Sequence, residues 1–390
     1  LNNPGPTGLV VSDFDEDGNP DLIVAANQSI EMLTGHADGT FGSPNTLAQL
    51  EGSQAPIPVW PTVFAADLDG DHHSDLFYMS GPAYYLLGKG DGSFENQVEV
   101  PALSSSADTT FAGPDGISIE DLNGDGRPDI LMINNGGNSS DEQLVLGWNE
   151  FGAPAGGFVQ YVVSDSFDYN SLDLMTVGTV NANGKLAGIF AGGTTILTRL
   201  WDSGSSSFGS STFSWVPSDQ VTVLVLGAIL ADMDNDDLPD LVAMIRTNTT
   251  NTPSGEGIAV FKGNGDGSFA TPTIVWNSVT MLSPNIVAWD LRVPVLVADL
   301  DGDGWKDVVV AHMVEGSLAF YRGGSNGLSV PVQVPNIGSF PTGIVAADFN
   351  HDGKLDLAVS HQNCYAIEAN RSPCDPIGDD SPGITVLLSK

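Results

Sequence analysis

Basic residues are scarce in this 390-residue chain. Twelve Lys and Arg face 49 Asp and Glu, for a formal net charge of −37. Nucleic acids and anionic membrane surfaces both need a basic footprint, so neither is an expected partner. Cysteine is nearly absent. Cys364 and Cys374 are the only two, with nine residues between them in a polar stretch containing Pro and Gly. A loop-closing disulfide in an oxidising compartment fits them, with two free thiols as the alternative. No run approaches the roughly 18 apolar residues of a membrane span. The chain starts at Leu1 without an initiator Met or a signal-peptide pattern. It is therefore expected to be a mature or trimmed product, secreted or displayed at a cell surface. No Ser/His/Asp or Cys/His signature and no zinc-type cluster is present.

What is abundant points to turns. There are 46 glycines and 24 prolines, and 41% of residues are hydrophobic, enough for a real core. Such a composition favours many short strands over long helices. Asn27, Asn138, Asn248 and Asn370 each begin an N-x-S/T sequon, and all four fall in expected loops.

The decisive feature is an internal repeat. An apolar run ends in D-x-[DN]-x-D-[G]-x-x-D, and a second apolar run follows. The first copy uses Asp13, Asp15, Asp17 and Asp21, and the second Asp67, Asp69, Asp71 and Asp75. The third uses Asp121, Asn123, Asp125 and Asp129, and the fifth Asp232, Asp234, Asp236 and Asp240. The sixth uses Asp299, Asp301, Asp303 and Asp307, and the seventh Asp348, Asn350, Asp352 and Asp356. A degenerate fourth copy has Thr179, Asn181, Asn183, Gly184 and Ala187, with every carboxylate lost. Copies begin at 13, 67, 121, 179, 232, 299 and 348. A period near fifty residues suits a four-stranded blade, so the expected fold is an all-β, seven-bladed β-propeller spanning 1–390. A second element, GHADGTF, GKGDGSF or GNGDGSF, follows the repeat unit. It is expected to turn strand three into strand four and to place its Phe between blades.

The chemistry of the loop points to calcium. Carboxylates at positions 1, 3 and 5 converge when the chain curls around a point, and glycine at position 6 permits the curl. Position 7 can offer its backbone carbonyl, from Asn19, His73, Arg127, Leu238, Trp305 or Lys354. The acid at position 9 is expected to close the shell. A flexible cage of hard oxygens suits Ca²⁺ better than Zn²⁺ or Mg²⁺. An EF-hand needs a Glu at position 12 between two helices. Here position 12 is Val24, Tyr78, Met132, Ala243, Val310 or Val359, and the flanks are β-rich, which excludes that module. The six intact loops carry 22 side-chain carboxylates, which would repel one another without a cation. Blade four is expected to hold no metal. His72 and Asp237 replace the position-6 glycine, so those two loops are expected to be strained.

This unit resembles the FG-GAP/VCBS repeat of integrin α-subunit propellers and of many secreted microbial proteins. The resemblance covers essentially the whole chain and implies Ca²⁺ in the loops joining strands 1 and 2 of each blade. The family spans adhesion receptors, lectins and a few polysaccharide lyases, so the fold does not fix the function. The last blade is expected to have three strands, or to be completed by Leu1–Pro4.

Ligand recognition is expected on the face opposite the aspartate loops. Arg246, His312 and His361 take nearly equivalent places at the ends of successive second strands. Arg292, with Trp289 and Asp290, lies in the next inter-blade loop, and Tyr365 and Arg371 lie between the cysteines. Together they are a candidate cationic patch for an anionic or hydroxyl-rich ligand, with scattered surface Arg and hydrogen-bonded His as the alternative. Trp60, Trp276 and Trp289 are candidate sugar platforms, although inter-blade packing is the commoner use of Trp. A binding module for glycans or extracellular matrix is the favoured reading. A calcium-dependent polysaccharide lyase is the second, with His312 or His361 as base and Arg246 or Arg292 neutralising a uronate. The third is one propeller domain from a larger surface protein.

Overall fold

The computed structural model describes residues 8–26, 29–50, 62–79, 82–100, 103, 116–134, 143–151, 157–162, 174–192, 195–215, 223–247, 255–277, 294–312, 316–338, 341–361 and 383–389. These form 27 strands in seven antiparallel sheets. Blade one is β1 (Gly8–Ser12), β2 (Asp21–Ala25), β3 (Ser29–Leu33) and β4 (Asn45–Gln49). Blade two is β5 (Thr62–Ala66), β6 (Asp75–Met79), β7 (Ala83–Leu86) and β8 (Val98–Glu99). Blade three is β9 (Gly116–Glu120), β10 (Asp129–Asn134), β11 (Gln143–Asn149) and β12 (Phe158–Val162). Blade four is β13 (Leu174–Thr179), β14 (Leu186–Gly192), β15 (Thr195–Asp202) and β16 (Ser207–Trp215). Blade five is β17 (Val223–Ala231), β18 (Asp240–Thr247), β19 (Glu256–Phe261) and β20 (Thr273–Trp276). Blade six is β21 (Val295–Ala298), β22 (Asp307–His312), β23 (Ser317–Tyr321) and β24 (Val332–Pro335). Blade seven has β25 (Pro341–Ala347), β26 (Asp356–His361) and β27 (Gly383–Leu387).

Within each sheet the strands follow chain order, so each blade is a meander. Burial grades across it. The second strand is buried on both faces, as in DLIVA of β2, DLFYM of β6 and DVVVAH of β22. Such continuous apolar runs belong to strands covered on both sides. Outer strands β4, β8, β20 and β24 are the most exposed of their blades, and leave Val98, Trp276 and Val332 exposed to solvent. First strands of neighbouring blades approach one another, and β1 lies beside β25, which brings the chain round to its start.

The hydrophobic core is divided among the blade interfaces. Seven apolar clusters occur among the described residues, one for each of the seven neighbouring pairs. Fully burying one Val, Leu, Ile or Phe contributes about 1.5–3 kcal/mol, so each interface is a substantial attachment. The closing interface joins Leu9, Leu22 and Val24 of blade one to Phe349 and Ala358 of blade seven. The sheet of blade seven has three strands among the described residues, and Leu1–Pro4 lie outside them. The turn phenylalanines do sit between blades. Phe41 meets Phe349 at 5.5 Å, Phe94 meets Phe14 at 5.8 Å, and Phe269 meets Phe213 of blade four at 5.4 Å between ring centroids.

Candidate metal centres and the opposite face

Each aspartate loop joins strand one to strand two, so the six intact loops share one face of the ring. Their curl is held by the acids themselves. In blade one, Asp13 accepts the Asp17 N–H at 3.1 Å on Oδ1 and the Gly18 N–H at 2.9 Å on Oδ2. Asp17 accepts the Asn19 N–H at 2.8 Å. The same bonds recur from Asp121, Asp299 and Asp348 to positions five and six of their loops. Position six has a positive φ throughout, including His72 at 75° and Asp237 at 65°, the two sites expected to be strained. Both side chains sit in a conformation that costs an L-residue roughly 1–2 kcal/mol.

Four carboxylate groups have ligand atoms within 4.8 Å of one another. They are Asp13, Asp15 and Asp17; Asp67, Asp69 and Asp71; Asp232, Asp234 and Asp240; and Asp299, Asp301 and Asp303. In blades three and seven an amide, Asn123 or Asn350, replaces one carboxylate. Desolvation, followed by the neighbouring acids, raises the Asp15 and Asp69 carboxyls above the usual range. These groups could hold a metal ion, and the donor set is all oxygen. Side-chain cations reach the loops of three blades. Lys262 pairs with Asp234 and, at 3.0 Å, with Asp236; Arg322 pairs with Asp301; Arg127 pairs with Asp125 at 2.8 Å. Blade four closes its loop without carboxylates. Asn181 accepts the Asn183 N–H at 3.0 Å and the Lys185 N–H at 3.1 Å, and the Lys185 ammonium reaches the Trp201 carbonyl at 2.5 Å.

The ninth-position aspartate does more than the spacing suggests. In every intact blade it is essentially fully buried, and each of its oxygens accepts a backbone N–H. One comes from position two of its own loop: Phe14, Leu68, Leu122, Met233, Leu300 or Phe349, at 2.7–3.1 Å. The other comes from the chain leaving strand three: Gly35, Gly88, Asn149, Gly263, Gly323 or Ser389, at 2.6–2.9 Å. This residue therefore ties loop, second strand and third strand together. Burial pushes Asp75 and Asp129 up to about 6 against these hydrogen bonds, and raises Asp21, Asp240 and Asp307. At Gly35, Gly88, Gly263 and Gly323 a Cβ would meet a backbone carbonyl oxygen at 2.1–2.3 Å, so no side chain fits where the strand-three amide approaches. The spacing shows the acid, but its second partner lies 13 to 33 residues away, beyond the reach of a local motif.

On the opposite face, two bases of the expected cationic patch are interior. Arg246 and His312 are buried, 5% and 4% exposed, in the seam between blades five and six. Both are arranged around the buried Glu256, which pairs with Arg246 in register across β18 and β19. His312 Nδ1 lies 3.4 Å from Glu256 Oε2, and its Nε2 lies 3.5 Å from Asn277 Nδ2. These two bases are interior, beside a buried acid, and do not form an exposed surface. His361 lies in the next seam, partly buried, with Nε2 3.3 Å from Thr385 Oγ1 and its ring against Gly338. Trp276 is 42% exposed on outer strand β20, away from the first strands. Trp60, Trp289, Asp290, Arg292, Cys364, Tyr365, Arg371, Cys374, Asn27, Asn138, Asn248 and Asn370 lie outside the described residues.

The model of the FG-GAP-like repeat matches residues 13–78, 67–132, 232–310 and 299–359, together more than half of the chain. The chain belongs to the FG-GAP-like repeat family. The matched segments each run from one aspartate loop into the next blade, and the span of the degenerate fourth loop is unmatched. Among solved structures, this FG-GAP protein resembles the crystal structure of a protein from Lactobacillus plantarum, with 15% identity and a TM-score of 0.53. That match covers 84% of each chain, and at this identity it shows the fold alone. A second match is the Photorhabdus luminescens Tc holotoxin pore, 17% identical with a TM-score of 0.40 over 95% of this chain and 17% of that one. Comparison with curated proteins gave no match. No helix among the described residues is long and apolar enough to cross a membrane.

Proposed function

We propose that this FG-GAP propeller is a secreted, calcium-braced binding module whose ligand is a glycan or an extracellular matrix protein. The calcium part is carried by the converged carboxylates of positions one, three and five, whose ligand atoms lie within 4.8 Å in three blades. Backbone amides occupy part of their lone pairs, and the others are left for a cation. A divalent ion with six to eight flexible oxygen ligands fits this set. Asp13, Asp15, Asp17, the Asn19 carbonyl and Asp21 would hold it in blade one, with the corresponding residues in the other five intact loops. When bound, the ion supplies charge neutralisation and a cross-link within the loop. Six ions would bring the net charge from −37 to −25.

The binding part rests on the division of labour in the fold. The aspartate face is conserved from blade to blade within this chain, whereas the opposite connections differ in length and composition. Those connections, 248–254, 278–293, 313–315 and 362–382, hold Trp289, Arg292, Tyr365, Arg371 and the two cysteines. Such loops on a rigid scaffold are the usual seat of recognition. The test is equilibrium dialysis for calcium combined with glycan and matrix-protein arrays. The expected result is about six calcium ions per chain and a ligand class retained without turnover. A chain that takes up no calcium contradicts the first half. An empty screen across broad panels, or release of unsaturated uronate products, contradicts the second.

A further inference from the structure

Side chains at position four bond some aspartate loops directly to the next around the ring, whereas loops two and three are linked through Asn149, whose Nδ2 donates to the Leu68 and Pro128 carbonyls, neither an expected metal ligand. Position four has a positive φ in all six intact loops: Glu16 at 56°, Gly70 at 82°, Gly124 at 80°, Asn235 at 60°, Gly302 at 74° and His351 at 57°. This conformation is natural for glycine and unfavourable for other residues. Three loops nevertheless carry a side chain there, and each of the three bonds the loop of the following blade. Glu16 Oε1 meets His73 Nδ1 of blade two at 2.5 Å. Asn235 Nδ2 donates to the Gly304 carbonyl of blade six at 3.0 Å. His351 Nε2 meets Asn19 Oδ1 of blade one at 2.8 Å, across the closure of the ring. Blades two, three and six have glycine at this position and so have no side chain to extend.

The partners are positions six and seven of the receiving loop. Position seven is the residue whose backbone carbonyl is an expected metal ligand, at His73 and Asn19. A neighbour that holds the side chain of that residue restricts the carbonyl attached to it. An ion that fixes the carbonyl in turn presents an ordered partner to the neighbour. Energetic coupling between two sites is necessarily reciprocal.

We propose that position four couples metal uptake between blades: loops seven, one and two load as one linked run, loops five and six as another, and loop three loads alone. This rests on the reading of the loops as calcium sites. A single hydrogen bond lost or gained corresponds to about threefold to tenfold in the affinity of the linked loop.

Native mass spectrometry of the full chain over a series of free calcium concentrations tests it, because it counts ions individually. Asp121→Asn should remove one ion and leave the other five titrating as before. Asp13→Asn should also remove one ion at saturation, but two of the remaining five should now need about threefold to tenfold more free calcium. The pair Glu16→Gly and His351→Gly keeps every metal ligand. Those variants should still bind six ions, with the steps of loops one and two spread to higher concentration. Near-ultraviolet circular dichroism identifies any variant that has lost its fold. Six ions taken up independently, with Asp13→Asn and Asp121→Asn differing from the parent by one ion alone, overturn the proposal. So do Glu16→Gly and His351→Gly titrations identical to the parent's. A parent chain that binds no calcium overturns the calcium reading itself, and the coupling with it.

Discussion

Replacing Asp75 with Ala separates the structural work of the ninth position from metal binding. Asp75 is fully buried and accepts the Leu68 and Gly88 amides, both at 2.7 Å. Ala leaves both donors without a partner. Each unsatisfied buried donor costs about 1–3 kcal/mol, so the loss is about 2–6 kcal/mol. Burial raises the Asp75 carboxyl to about 6, which means the ionised group is itself held at a cost near neutrality. Removing it recovers part of that cost, so the lower half of the range is expected. Asp71→Asn is the control. Among the described residues, Asp71 accepts the exposed His73 amide, at 2.9 Å, and an amide oxygen can replace that bond. Urea unfolding is measured in excess EDTA. Asp75→Ala should lose about 2–4 kcal/mol, and Asp71→Asn should stay within about 0.5 kcal/mol of the parent. Equal, small effects from both variants in EDTA would refute the structural role of the ninth aspartate.

Other outcomes follow from the same geometry. His72→Gly should stabilise the protein by about 1 kcal/mol in chemical denaturation, since it relieves a left-handed His whose side chain is almost wholly exposed. Gly88→Ala should destabilise by at least about 1–3 kcal/mol, because its Cβ would lie 2.3 Å from the Ser74 carbonyl oxygen. The pH response of the calcium-free chain carries a definite sign. The folded-state carboxyls of Asp75 and Asp129 lie near 6, above their unfolded values. The folded state therefore binds more protons between about pH 4 and 6, and thermal melts in EDTA should show stability rising as pH falls from neutrality to about 5. A melting temperature that falls over that interval would contradict the burial of these groups.

Much of the architecture is legible in the sequence because it repeats. The Asp-rich loops mark the end of strand one and the start of strand two, and the Gly-rich turn with Phe marks the passage from strand three to strand four. These are local patterns, so Asp13 to Asp21 or Gly35 to Phe41 can be read without neighbours. What escapes is what depends on the next blade. Glu256 lies on a third strand, and nothing near Arg246 or His312 in the chain announces that it lies between them. Equivalent positions at the ends of β18, β22 and β26 are visible in the sequence, but the seam that buries two of these residues is not. Position four carries a faint mark: three glycines with an Asn, a Glu and a His. That pattern states a left-handed turn, while the inter-blade bond that compensates a side chain there emerges only from the ring.

The melting temperature of the full chain, measured by calorimetry in EDTA and in excess calcium, bears most directly on the assignment of the aspartate loops. At about a hundredfold excess over Kd, each occupied loop adds about 2.7 kcal/mol to the folded state, so several loops together should raise the transition by many degrees. The same melting temperature in calcium and in EDTA would contradict calcium bracing altogether.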